Sequence, residues 1–159
     1  MRKIRAEELS HVLADATEQV LETMFFTTLE SRLDAVPETS GAITAALSFH
    51  GELRGTFCLD LSTESACRLA ASFLATEPDV LPQERVGEAV CELANMICGR
   101  TLSQMQSEDT FELLAPHLEA QPVASTAGPT HIFQLEDGYL RVSLEIQPQT
   151  RCSNASPNG

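Results

Sequence analysis

The sequence predicts an α/β fold, a two-layer sandwich of mainly antiparallel sheet with long packed helices, and three observations predict it. Apolar residues recur at spacings of three and four along two long stretches, Ala6 to Leu33 and Gln83 to Gln106. Two pairs of short segments alternate apolar and polar residues at a period of two. The two halves also echo one another: placing Val20-Leu21-Glu22-Thr23-Met24-Phe25 over Val90-Cys91-Glu92-Leu93-Ala94-Asn95 aligns Glu22 with Glu92 and Phe25 with Asn95. The echo reads as a pseudo-duplicated helix-hairpin unit in which only the second long helix keeps the polar pair.

The first stretch carries Leu9, Leu13, Ala16, Val20 and Met24 on one face, widened by Val12, Leu21 and Phe25, so a helix is expected from about Ala6 to Leu33. Met24, Phe25 and Phe26 are read as core. Pro37 to Gly41 breaks the chain. Ile43, Ala45, Leu47 and Phe49 then alternate with polar or small residues, Gly51 to Gly55 supplies a turn, and Phe57, Leu59 and Leu61 alternate again, a hairpin with one wet face. Ser62 or Thr63 can cap a second helix through about Ala75, and Pro82 is placed to start the long helix that follows.

Beyond Gln106, the run Phe111 to Glu119 contains Pro116 and is expected as an irregular or edge strand. Gln121 to Pro129 reads as a loop. His131 to Leu135 and Tyr139 to Ile146 read as strands joined at Asp137-Gly138, where glycine would tolerate a positive φ. The expected organisation is one domain over 1–148 and a frayed tail over 149–159.

Composition narrows the function. The chain has 159 residues, 43% of them hydrophobic, enough for a real core. Its net charge of −13 argues against nucleic acid and anionic membranes as partners, since no basic patch stands ready to displace counterions. No stretch reaches the about 18 apolar residues of a membrane span, and the N-terminus turns polar before any apolar run, so a cytoplasmic location is expected. Five cysteines with no C-x-x-C pair suit reduced thiols, and no His or Cys spacing matches a metal ligand set. His50 reads as a turn residue, and His11, His117 and His131 show no partners in the sequence.

Chemistry concentrates on the second long helix. At about 100° per residue, Arg85, Glu88, Glu92, Asn95, Gly99, Ser103 and Gln106 share one narrow stripe, while most of the remaining circumference is apolar. A solvated helix face is the plain interpretation of such a stripe. Yet asparagine is a poor mid-helix residue, because its amide competes for backbone hydrogen bonds, and glycine at mid-helix costs up to roughly 1 kcal/mol relative to alanine. Glu92 and Asn95 project side by side and together offer one anion, one donor and one acceptor. With no activated nucleophile and no adjacent histidine base, that set cannot run covalent catalysis. It suits positioning a water or gripping a lysine.

The segment E-L-A-N-M-I-C-G, Glu92 to Gly99 after G-E-A-V, resembles the E-x-x-N-M helix of the CheX-type chemotaxis phosphatases, within the CheC/CheX/FliY group. A-T-E-Q-V-L-E-T-M-F-F (Ala16 to Phe26) and the hairpin spacing G-E-L-R-G-T-F are similar to that family too, and the likeness runs from about Ala6 to Pro148. With Phe25 where a second Asn would stand, the chain is similar to the single-site CheX branch. The resemblance implies a homodimer that dephosphorylates a phosphorylated CheY-like response regulator. Glu92 would pair with the regulator's active-site lysine, and Asn95 would orient the attacking water. Glu88, Gly99 and Ser103 remain as partner-contact candidates. No cofactor of the chain's own is implied, the Mg²⁺ being supplied by the bound regulator. Two positions depart from the family pattern: Glu88 stands where Asp or Ser is common, and Leu118 where a proline tends to fall.

A reading from a different class is a non-catalytic adaptor that binds a response regulator or flagellar switch component through the same helix. The Glu92/Asn95 pair favours the enzyme, because a pure binder needs no amide beside the acid. A small-molecule sensor has no pocket signal in the sequence.

Overall fold

The computed structural model describes residues 5–39, 41–51, 53–105, 111–121 and 128–147. Gln106, most of the loop expected over Gln121 to Pro129, and the tail expected over 149–159 lie outside these residues. In chain order the elements are helix α1 (Ala6–Met24), strands β1 (Ser31–Leu33), β2 (Ala42–His50) and β3 (Arg54–Ser62), helix α2 (Thr63–Leu74), a 3-10 turn (Pro78–Val80), helix α3 (Gln83–Met105), and strands β4 (Glu112–Leu113), β5 (His117–Glu119), β6 (Thr130–Leu135) and β7 (Gly138–Gln147). The strands form one sheet in the order β1-β6-β7-β3-β2-β4, with β5 also on β2, and every pairing is antiparallel.

The two halves have matching parts that cross over. Helix α1 precedes the hairpin β2–β3 and α3 precedes the hairpin β6–β7, while β3 and β7 pair at the centre of the sheet, Leu59 opposite Val142 and Phe57 opposite Leu144. The short strand after α1, β1, pairs with β6 of the second hairpin. The short strands after α3, β4 and β5, pair with β2 of the first. Pro116 separates β4 from β5, as expected of an irregular edge.

Alternate sheet residues Ala45, Leu47, Phe49, Phe57, Leu59, Leu61, Leu140, Val142 and Leu144 meet Leu9, Leu13, Leu21, Leu69, Val90, Leu93 and Ile97 of the helices in one core. Between them these residues satisfy both periods, two on the sheet and 3.6 on the helices. Helix α2 begins as expected: the Ser62 hydroxyl accepts from the Ser65 N–H at 3.4 Å. It ends with Ala75 in the left-handed region at φ 54, the Thr76 N–H returning to the Ala71 carbonyl at 2.9 Å.

Three expectations need correction. Helix α1 stops at Met24, not Leu33. The N–H groups of Phe25 and Thr27 both donate to the Leu21 carbonyl, at 3.2 and 2.9 Å, and Phe26 between them adopts φ 52. Residues 31–33 then extend as β1, because the open edge of β6 offers them backbone partners. The outward face of the first hairpin, secondly, is open only toward its ends, at Ala42 and Arg54 and in part at Ser48, His50 and Thr56. Thr44, Ala46, Cys58 and Asp60 point away from the helices and are buried as well. Asp60 is held there by the Thr44 hydroxyl at 2.9 Å, the Tyr139 hydroxyl at 3.0 Å and Arg141 Nη2 at 3.0 Å. Burial and the nearby Asp60 charge push the Tyr139 hydroxyl up to about 12. Thirdly, the β6–β7 turn consists of Glu136 and Asp137, with Gly138 already paired to Leu135. The non-glycine residues of positive φ among those described are Phe26 and Ala75, so neither turn residue needs one. Gly138 is required by proximity instead, since a Cβ there would run into Ser62 Oγ, the hydroxyl that caps α2.

Candidate functional site

Helix α3 buries Val86, Ala89, Val90, Leu93, Ala94, Ile97, Cys98, Leu102 and Met105, and turns the predicted stripe outward. Arg85, Glu88, Glu92 and Ser103 are exposed, and Asn95 and Gly99 are half-buried. The polar pair is therefore presented on a rigid helix whose other faces are locked into the core, the arrangement that holds a side chain to a fixed geometry.

The stripe residues are not equally free. Glu88 is engaged by Arg85, Nε to Oε1 at 3.4 Å. Among the described residues, neither Glu92 nor Asn95 makes a side-chain hydrogen bond or ion pair. Gly99 is not demanded by the fold, because a Cβ there would meet Leu113 Cδ2 at 3.8 Å, an ordinary contact. Its cost to the helix is thus unexplained by internal packing and consistent with clearance on the outer surface.

Asn95, Gly99 and Ser103 form one wall of an open groove of about 450 Å³ between α3 and α1, with Met96 and Arg100. The opposite wall is Gln19, Val20, Thr23 and Met24 of α1. A polar clamp fixes the width of the groove. Gln19 Oε1 accepts from Arg100 Nε at 3.0 Å and from Gln104 Nε2 at 3.2 Å, while Gln19 Nε2 donates to Asp15 Oδ2 at 2.8 Å.

Glu22 and Phe25, the α1 counterparts of Glu92 and Asn95, do not form a second site. Glu22 is exposed, but Phe25 is buried and stacked on Phe73 with ring centroids 4.8 Å apart. The expectation that Met24, Phe25 and Phe26 are all core holds for Phe25 alone. Met24 is 45% and Phe26 76% exposed.

The histidines also differ from expectation. His50 lies at the end of β2 with Nε2 3.6 Å from Glu112 Oε1, and His117 Nε2 is 2.6 Å from Glu119 Oε2. His131 Nε2 donates to the Ser10 carbonyl at 2.8 Å, which leaves Nδ1 to accept from Arg32 Nη1 at 3.2 Å. Ser10, Arg32 and His131 border a larger hollow, about 700 Å³, at the opposite end of α1 from Asn95. It contains none of the stripe residues, and its lining joins segments far apart in sequence, a grouping that periodicity does not reveal. Cys58, Cys67, Cys91 and Cys98 are free thiols, and Cys152 lies outside the described residues. Burial pushes the Cys98 thiol up to about 12 and raises Cys91 as well. Among the described residues no three His, Cys, Asp or Glu side chains are grouped to hold a metal ion, and no helix is long and apolar enough to cross a membrane.

Helices laid on one face of an antiparallel sheet built from two crossed hairpin units are a fold shared with solved chemotaxis proteins. The chain is similar to the CheX of the CheX–CheY–BeF3–Mg²⁺ complex from Borrelia burgdorferi, at 20% identity over 92% of this chain and 100% of that one, TM-score 0.69. It is similar to CheX from Vibrio vulnificus, at 18% identity over 91% and 100% of the two chains, TM-score 0.71. CheX from Desulfovibrio desulfuricans matches at 18% identity over 88% and 99%, TM-score 0.70. No curated protein matches. The family model described as chemotaxis phosphatase CheX matches residues 43–122, and the chain belongs to that family.

Proposed function

We propose that this chain hydrolyses the aspartyl phosphate of a CheY-like receiver domain, with Asn95 orienting the attacking water and Glu92 pairing with the receiver's active-site lysine. The observation that carries this reading is the pair itself, one turn apart on a helix otherwise locked into the core, with neither side chain engaged among the described residues. The complex of the Borrelia relative with CheY supports a partner of that kind.

Phosphoryl transfer asks little covalent chemistry of the protein and much positioning. The water oxygen attacks phosphorus, the bond from phosphorus to the aspartyl oxygen breaks, the receiver's carboxylate is restored, and inorganic phosphate leaves with the two protons of the water. The Asn95 amide holds the water on that line by one hydrogen bond, and the amide is itself held by the buried faces of α3. Glu92 draws the receiver lysine toward α3 and so fixes the docking register. The Mg²⁺ of the reaction belongs to the receiver, and this chain supplies no cofactor. Glu88, Gly99 and Ser103 line the approach: Gly99 gives clearance, Ser103 offers a hydroxyl, and Glu88 must leave Arg85 to take part. The reaction is cytoplasmic and the working form a homodimer on the same family reading.

The test is the decay of a phosphorylated receiver domain from the same genome, measured with saturating wild type and with Asn95→Ala, alongside binding. Acceleration by wild type, lost in Asn95→Ala while binding persists, is the expected result. Binding by both with no acceleration by either makes the chain an adaptor for that receiver.

A further inference from the structure

Away from the groove of Asn95, another hollow lies between the α1–β1 connection, α2 and the β6–β7 turn. Its volume of about 410 Å³ is within the range of small-molecule sites. The lining includes Phe26, Glu30, Ser65, Arg68, Glu136 and Asp137, and none of the α3 stripe.

Ser65 is the residue the fold leaves unexplained. It is 2% exposed, and its hydroxyl is a buried polar atom with no hydrogen-bond partner, the only one among the described side chains. The hydroxyl faces the β6–β7 turn, where a Cβ on Gly138 would come within 3.0 Å of it. Buried polar groups in folded proteins are nearly always paired, so an orphan at the wall of a hollow points to a missing partner.

The surrounding groups define that partner's chemistry. Thr27 Oγ1 and Ser72 Oγ both donate to the Phe25 carbonyl, at 2.9 and 3.0 Å, so each has only lone pairs left to present. Arg68 is paired with Asp137. Among the described residues, the side chains of Glu30 and Glu136 make no hydrogen bond or ion pair, which leaves two carboxylates of the lining uncompensated. Phe26, held at φ 52 and 76% exposed, adds an aromatic ring, and an aromatic face attracts cations. The hollow is thus rich in acceptors and net negative. It repels an anion, and a neutral ligand would leave both carboxylates unbalanced.

We propose that this hollow binds a small organic dication, a primary diamine. One ammonium donates to Ser65 Oγ, Glu30 and Glu136 balance the two charges, and the aliphatic chain lies along the Phe26 ring. The proposal stands independently of the phosphatase reading.

The experiment titrates full chains calorimetrically with putrescine at constant ionic strength, and records the thermal midpoint of each. The proteins are wild type, Ser65→Ala, Phe26→Gly and the double variant Glu30→Gln, Glu136→Gln. Wild type is expected to bind one putrescine saturably. Affinity is expected to fall about tenfold or more in Ser65→Ala and in the double variant, the scale of hydrogen bonds to a charged group, and about threefold in Phe26→Gly. Ser65→Ala removes the orphan hydroxyl, and glycine suits φ 52, so neither is expected to melt below wild type. Fully quaternised putrescine, which keeps both charges and has no N–H, is expected to bind about tenfold more weakly or less. Absence of saturable binding by wild type overturns the proposal. Affinity unchanged in both Ser65→Ala and the double variant places the diamine elsewhere and overturns it. Equal affinity for the quaternised form reduces the effect to general charge attraction and does the same. If Ser65→Ala melts markedly lower, its hydroxyl is structural and the double variant decides: a tenfold loss there sustains the site, and unchanged affinity overturns it. An acetylated lysine amide that binds as tightly as putrescine assigns the hollow to a protein side chain and overturns the diamine.

Discussion

Arg100 reaches across from α3 to place its Nε 3.0 Å from Gln19 Oε1 on α1, five residues beyond Asn95. The same oxygen also accepts from Gln104. One α1 side chain thus gathers two α3 donors and sets the spacing of the walls between which Asn95 stands. Gln19→Ala removes the shared acceptor. Arg100 and Gln104 are exposed and turn to water, so stability is expected to fall by no more than about 1 kcal/mol. Receiver dephosphorylation is expected to slow by more than this loss of stability explains, on the order of severalfold, because a loosened wall spoils positioning. Equal activity of Gln19→Ala and wild type at full folding would show that the clamp serves stability alone.

Asn95→Ala is expected to lose on the order of 10²-fold in dephosphorylation rate, about 3 kcal/mol, by analogy with removal of other single positioned donors. Its stability should move the other way. Asn95 has no side-chain bond among the described residues and alanine is the better helix former, so the thermal midpoint should hold or rise slightly. Glu92→Ala should weaken receiver binding. An Asn95→Ala protein that melts markedly lower would mean that the amide has a structural partner.

Burial holds the His131 imidazole below its ordinary 6.5, with a smaller contribution from Arg32 in the same direction and an opposing one from the Ser10 carbonyl. The unfolded chain therefore binds this proton more readily than the folded one. Stability from the neutral ring is present above pH 6.5 and is lost as the pH falls through that value toward the folded pKa. His131→Gln is expected to flatten the slope of urea midpoint against pH in that window. An unchanged slope would place the titrating group elsewhere.

Alkylation should sort the thiols by burial. Cys98, pushed up to about 12, and Cys58, raised chiefly by burial, hold almost no thiolate near pH 8 and are expected to react only on unfolding. Cys67 lies partly open on α2 and should be the first of the four described thiols to be modified in the native protein. Peptide mapping after brief iodoacetamide treatment reads the order, and fast native labelling of Cys98 would contradict the packing of α3.

The stripe on α3 was legible because its period and its burial agree: 23 residues turn one polar edge outward at every turn, and each apolar position between finds the core. Ser62 and Pro82 likewise announced helix starts through local chemistry. The end of α1 was not legible. Apolar residues continue in helical register past Met24, and no glycine, proline or asparagine marks the stop; the helix ends because Phe25 finds Phe73 and the β6 edge draws in Ser31 to Leu33. Those are contacts with residues 48 to 103 positions away, which periodicity cannot see. Gln19 with Arg100, and His131 with Ser10, belong to the same kind. So does the exposure of Met24 and Phe26, whose hydrophobicity alone pointed to the core.

The exchange of short strands between the halves has a topological result. Residues 5–75 lend β1 to the second hairpin and residues 78–147 lend β4 and β5 to the first, so each half completes its sheet only with the other's chain. The halves are interlocked as well as adjacent. A break in the connection between α2 and α3 would leave two fragments still clasped through the sheet, and neither could swing away to open the groove. Whatever adjusts the distance between α1 and α3 must act within a closed knot of pairing, by side chains at the groove rather than by a hinge between lobes.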